Sequence, residues 1–280
     1  MTGLATTRSL RPPVPLRWQL LVVAVVSVIA CAASSVSPAR ADDAAWKASH
    51  DTDPHTPLSA YQREMAVRKD RAIHQFFKTH PDKKPGPDPK VNEDPGGEGW
   101  ALLANQTPQQ TSYWCGPAAV AEALGQLGVS MSQSTAASQL GTTTDGTDWS
   151  NGTGYPVPNV LNANQSFFYV AQSVSYSPSQ QEIDTYKNRL VGDTALSWAP
   201  LVGDAWETAG GTYHLAGHPT DRDIFHWFDI RGYTSSGAYT QYEDSVAGAS
   251  SVSWSSGVDA YSTMASYKIV TILGGRGYVW

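Results

Sequence analysis

Gln109-Gln110-Thr111-Ser112-Tyr113-Trp114-Cys115-Gly116-Pro117-Ala118-Ala119 is the stretch on which the reading of this chain turns. Pro117 comes early, an Ala-rich apolar run follows to Leu124, and Gly128 lies just past the end, which together predict a helix over 116–127. Cys115 then stands at the helix N-terminus, where unpaired N–H groups and the helix dipole favour an anion. A thiolate is such an anion, and cysteines so placed have depressed pKa values. Gly116 leaves space beside the sulfur. An inert core cysteine would more naturally sit mid-helix on the apolar face.

Outward from this segment, cysteine usage sharpens the point. The chain holds two cysteines, Cys31 and Cys115. Arg8, Arg11 and Arg17 precede an almost wholly apolar run from Leu20 to Ala33, followed by the A-x-A triplet Ala39-Arg40-Ala41. That is the pattern of a cleaved export signal over 1–41, with a run shorter than the roughly 20 residues of a membrane span. Val28-Ile29-Ala30-Cys31 offers a rival reading as a lipidation site, but cleavage after Ala41 fits better, because the apolar run continues through Cys31. The expected mature chain is secreted, with envelope association possible and no membrane partner after signal removal. It keeps Cys115 as a single thiol, which in an oxidising compartment is either buried and inert or reactive.

The signal carries four Arg and no acid, so its removal leaves 15 basic and 25 acidic residues, a net charge of −10. That balance argues against nucleic acid as a partner and against docking on anionic lipid. Ten Trp and thirteen Tyr speak for a well-cored chain. Residues 42–98 read as an N-terminal extension. In it 42–56 is polar and loose, Leu58 to Thr79 is a helix, and a Pro- and Gly-rich linker runs from His80 to Gly97. Residues 99–280 read as one globular domain. Helices are expected at 116–127, from Ser130 or Ser132 to Leu140, and at 179–190, with a loop over 142–158. Strands are expected at 167–174, 195–205, 226–233, 238–244 and 267–273. Helices first and an antiparallel sheet after make an α+β class.

The sheet half supplies a base. His226 opens the strand His226-Trp227-Phe228-Asp229-Ile230-Arg231-Gly232-Tyr233, and Asp244 ends the next one. The turn Thr234-Ser235-Ser236-Gly237 joins them, so in an antiparallel hairpin the two residues lie nearly opposite one another. The carboxylate is then placed to accept the second imidazole N–H and fix its tautomer. Gln109, six residues before Cys115, can loop back and donate to a developing oxyanion beside the Cys115 backbone N–H.

This set resembles the bacteriocin-processing (double-glycine-leader) peptidases and their relatives, which are papain-fold cysteine peptidases. The likeness runs from Gly99 to Leu273 and rests on Gln109-x5-Cys115-Gly116-Pro117-Ala118, the late His226 strand ending in Gly232-Tyr233, and Asp244. It implies Cys115 as nucleophile, His226 as general base and acid, Asp244 as orienting residue and Gln109 as oxyanion donor. The implied substrate is a peptide or protein, and no cofactor is implied. Two features depart from the pattern. Ser245 stands where Pro usually follows the acid, and the leader peptidases belong to transporters, so double-glycine leaders are not the expected substrate.

Other readings compete. His214 and His218 lie four apart, with Asp221, Asp223 and His226 close behind, but the segment is broken by Gly217 and Pro219 and lacks the Glu of a zinc-protease motif, so no metal is expected. The same Cys–His chemistry also serves cell-wall peptide hydrolases and thiol acyltransferases. An inactive binding relative is the third class.

Overall fold

The chain builds an antiparallel sheet sandwiched by helices, seen here in a computed structural model that describes residues 38–90 and 97–280, with side chains from residue 43 onward. The targeting segment as far as Ser37, and with it Cys31, lies outside the described residues. The backbone of Ala39–Ala41 begins the first helix, α1 (Pro38–His50). Among the described residues no helix is long and apolar enough to cross a membrane.

The expected helices form, and their ends follow local chemistry. In α2 (Ala60–Thr79) Ser59 and Gln62 make a capping box, as Ser179 and Glu182 do for α6 (Gln180–Gly192). Ser132 caps α4 (Gln133–Leu140), which ends on left-handed Gly141. The cysteine helix is α3 (Cys115–Gln126), and α5 (Pro156–Asn164) opens with Pro156 inside the segment expected to be loop.

The seven-stranded sheet has the order β2-β7-β3-β4-β5-β6. These strands are β2 (Ala171–Ser173), β3 (Leu201–Glu207), β4 (Ile224–Thr234), β5 (Tyr239–Glu243), β6 (Tyr261–Ala265) and β7 (Gly277–Val279). The short β1 (Trp100–Ala101) pairs with Gly232 and Tyr233, on the part of β4 beyond its pairing with β3. All pairings are antiparallel. Alternate residues of β3 and β4 feed two cores. Val202 and Trp227 pack with Ala119, Val120 and Leu161 from α3 and α5. Leu201, Phe228 and Ile230 pack with Ile183, Leu190 and Ile269 on the other side. Full burial of side chains such as Phe228 and Leu201 contributes roughly 1.5–3 kcal/mol each.

Four expectations give way. Residues 267–273 are helical, not a strand: α7 (Ser266–Ile272) buries Ile269, Val270 and Ile272. Packing against α6 overrides the β-branched composition of that run. The strand expected over 167–174 shrinks to Ala171–Ser173, and that over 195–205 starts at Leu201, after a wide helical turn at Asp193–Ser197. Residues 42–56, read as loose, carry most of α1.

This N-terminal arm is packed on the domain. Ile73 and Phe77 of α2 join the second core. Lys69 Nζ lies 3.0 Å from Asp193, and Arg189 binds Asp70 through two nitrogens at 3.0 Å. Buried Lys47 donates to the Gly274 carbonyl at 3.0 Å, and burial brings its pKa down to about 8. Asp51 accepts from Arg276 at 2.8 Å.

Candidate functional site

Cys115 is the first residue of α3, and no side chain caps that end. The backbone N–H groups of Gly116 and Trp227 lie near the sulfur and favour its anion instead. A Cβ at Gly116 would come within 2.4 Å of Thr147 Oγ1, so glycine is what lets the 142–148 loop lie against this turn. Trp227 fastens the same loop by donating from Nε1 to the Thr147 carbonyl at 2.9 Å.

His226, near the start of β4, is 2% exposed, lines the same cavity as Cys115 and lies close enough to the sulfur for each to shift the other's titration. Its Nε2 lies 3.0 Å from Asp244 Oδ1. The Nε2–H direction misses that oxygen, so this is an ion pair rather than an aligned hydrogen bond. The hairpin does not place the two residues directly opposite. β4 carries a bulge between Ile230 and Gly232, after which Asp229 pairs with Glu243. One further step sets Asp244 across from Phe228, which shares a face with His226. Without the bulge Asp244 would fall opposite Asp229, on the wrong face. Asp229 itself accepts from Gln126 of α3 at 2.7 Å, and Glu243 accepts from the Asn105 N–H at 3.0 Å. Both are therefore turned away from His226.

The electrostatics follow from these contacts. Burial alone would raise the Cys115 thiol, but His226 beside it, with the two backbone N–H groups, brings it below its ordinary value. Burial would lower His226; the Asp244 charge and the Cys115 contact overcome it and raise the imidazole well above its usual range. Asp244 also resists desolvation, held well below the carboxylate range by the His226 charge and by the His218 hydrogen bond. Both shifts run in the direction that favours a thiolate and an imidazolium over the neutral pair.

Sequence reasoning missed the groups behind Asp244. His218 Nε2 donates to Asp244 Oδ2 at 2.9 Å, and its Nδ1 donates to Glu207 Oε2 at 3.0 Å. With both nitrogens donating, His218 is an imidazolium clamped between two carboxylates. Its pKa is raised: desolvation opposes, and the bonds to Asp244 and Glu207 prevail. His214 Nδ1 lies 3.1 Å from the same Glu207 oxygen, so the two histidines flagged by spacing converge on a carboxylate. Gly217 makes the turn possible, with φ at +80° and room for a Cβ denied by the Gly257 carbonyl at 2.0 Å. The ring of Trp254 meets His218 edge-on at 4.7 Å. The crowding of His and Asp over 214–226 was the available signal; Glu207, at the far end of β3, gave none.

Gln109 is buried and lines a cavity of about 320 Å³ with Cys115 and His226. Its Nε2 donates to the Thr111 carbonyl at 2.7 Å, and its Oε1 accepts from Ser245 Oγ at 3.3 Å. One amide hydrogen remains for another acceptor. Among the described residues, His218, His226 and Asp244 are the group whose ligand atoms converge, within 4.8 Å. A metal there would replace the Asp244–histidine contacts.

A buried cysteine at a helix N-terminus, a histidine and a carboxylate in series, beside an open cavity, are the kinds of group that thiol-hydrolase chemistry uses. Over residues 103–269, more than half of its length, the chain matches the model of the Peptidase_C39 like family, and it belongs to that family of peptidases. No curated protein matches it. Among solved structures, one described as a C39-like peptidase from Bacillus anthracis is similar, at 12% identity and a TM-score of 0.40, covering 65% of this chain and 96% of the other.

Proposed function

We propose that this chain is an exported cysteine peptidase of papain-like architecture, with Cys115 as nucleophile, His226 as general base and acid, Asp244 as orienting carboxylate and Gln109 as oxyanion donor. The observation that carries the reading is the contact series Cys115–His226–Asp244, brought together from α3, β4 and the end of β5. Export rests on the pattern of residues 1–41.

The Cys115 thiolate attacks the scissile carbonyl carbon, and the Cys115 backbone N–H with the free Gln109 amide hydrogen steadies the oxyanion. His226 gives its proton to the leaving nitrogen, the C–N bond breaks and a thioester remains. Neutral His226 then takes a proton from water, whose oxygen attacks the thioester. The C–S bond breaks, the acid leaves, and the thiolate–imidazolium pair is restored. His218 and Glu207 act as positioning residues that hold Asp244 toward His226.

The test is hydrolysis of a mixed peptide pool, with mass spectrometry of the enzyme. Wild type is expected to cut peptides and carry an acyl adduct on Cys115, and Cys115→Ser to do neither while keeping its fold. Hydrolysis retained in Cys115→Ser refutes the assignment.

A further inference from the structure

A second cavity, of about 500 Å³, opens on Cys115 from the side that His226 does not line. On its wall sits Asp204, in β3 opposite Trp227 and only 3% exposed. Among the described residues no hydrogen bond reaches its carboxylate. The nearest cation, Arg276 Nε, is 3.9 Å away, beyond hydrogen-bond reach. Arg276 is moreover committed elsewhere, to Asp51 at 2.8 Å and Asp53 at 3.4 Å. Asp145 and Asp148 stand at the mouth. The cavity therefore presents four carboxyls, Asp53, Asp145, Asp148 and Asp204, against one guanidinium. A buried carboxyl left without a donor is costly unless something completes it. Desolvation raises the Asp204 pKa well above its ordinary value, against the pull of Arg276.

We propose that this cavity is a substrate subsite for a basic side chain, in which Asp204 receives the ammonium of lysine or the guanidinium of arginine. The proposal rests on the peptidase reading and adds the substrate class. Trp149 and Trp227, stacked at 5.8 Å, wall the cavity and offer apolar surface to the aliphatic stem. A compact divalent ion fits less well. Calcium wants about six to eight convergent oxygens, and these carboxylates are spread along the cavity rather than gathered. A long side chain with its charge at the tip matches that spread. Asp53 reaches the cavity from the segment between α1 and α2, so the N-terminal arm builds part of this subsite.

The test is protection of Cys115 from iodoacetamide by Nα-acetyl-arginine amide, against the neutral isostere Nα-acetyl-citrulline amide, in the full chain. It needs no turnover. In wild type the arginine compound is expected to slow alkylation at concentrations where the citrulline compound does not, and Asp204→Asn to weaken protection by about tenfold, the loss of one charge-assisted hydrogen bond. Asp145→Asn/Asp148→Asn, at the rim, guards against misfolding of the first variant, and is expected to weaken protection about two- to threefold. Equal protection by both compounds, or protection unchanged in both variants, overturns the subsite. A thiol that iodoacetamide modifies at the ordinary rate overturns the peptidase reading instead, while discrimination between the two compounds still reports on the cavity. A positional peptide library completes the test: basic residues should be favoured at one subsite in wild type, and that preference should collapse in Asp204→Asn.

Discussion

Glu243 and Asp244 are neighbours in sequence, both fully buried, and they meet opposite fates. Asp244 faces His226 and His218, and their charge and bonds hold it well below the carboxylate range against desolvation. Glu243 faces the other way, across from Asp229, where desolvation pushes it up to about 7 despite the Asn105 N–H and the Arg231 charge. Asp229 is raised well above its ordinary value, first by burial and then by the Glu243 charge. Glu122 of α3, also buried, is raised for the same reasons, with desolvation first. Burial alone therefore does not set the state of a carboxyl here; the face of the strand does, because on one side two histidines meet Asp244 at 2.9–3.0 Å while on the other Glu243 meets Asp229 and has only the more distant Arg231, at 3.8 Å. One residue of pleat separates a carboxylate held well below its ordinary range from a carboxyl pushed up to about 7.

The largest expected contrast comes from amidating each side. Asp244→Asn should lower kcat about 10³-fold or more, since the imidazole loses the charge that fixes it. Glu243→Gln should leave kcat within about threefold, because its side chain touches neither the thiol nor the histidine. Equal losses would erase the distinction between the faces. Next in size, His218→Gln is expected to lower kcat about tenfold with KM nearly unchanged, the usual cost of loosening a supporting hydrogen bond behind a reactive group. The pH profile of Cys115 alkylation should move with it, whereas an unmoved profile would reduce His218 to packing.

The smallest effect concerns stability. A carboxyl whose folded pKa is raised binds more protons folded than unfolded, so stability falls as pH rises from about 4.5 toward about 7. Glu243→Gln should remove that slope and raise Tm at pH 8 by roughly 2–4 °C, the shift about 1 kcal/mol produces in a domain of this size. At pH 4 it should change little. Asp244 has the opposite sign, since its pKa is depressed. Its contribution is complete above the unfolded value near 3.8 and is lost as pH falls below it. Acid unfolding beginning near pH 4, and shifted in Asp244→Asn, is the thermal-melt signature to seek.

Much of this site was legible in sequence because its parts are local. Cys115 at a helix start, with Gly116 and Pro117 after it, needs no tertiary information. The hairpin from His226 to Asp244 is readable from its turn. What sequence could not supply was the bulge beside Arg231, and the bulge is what puts Asp244 on the His226 face. His218 and Glu207 come together across a turn that depends on Gly217, a close approach between loops distant in sequence. Asp204 drew no notice because an acid within an apolar strand has no local signature. In the fold, Tyr267-Lys268-Ile269-Val270-Thr271-Ile272-Leu273 has the composition of a strand and becomes a helix through packing against α6. The arm at 42–56 looked loose because few of its side chains are apolar. Lys47, Asp51 and Trp46 dock it through a carbonyl, a guanidinium and an edge-on contact with Trp206.

The most direct test of the central claim is the rate of Cys115 alkylation against pH, followed by mass spectrometry, in the native chain and in His226→Ala. Fast alkylation persisting well below the ordinary thiol pKa of about 8.5, and lost or shifted upward in the variant, is the result expected of a thiolate–imidazolium pair. An ordinary thiol profile, unchanged by the substitution, would contradict it.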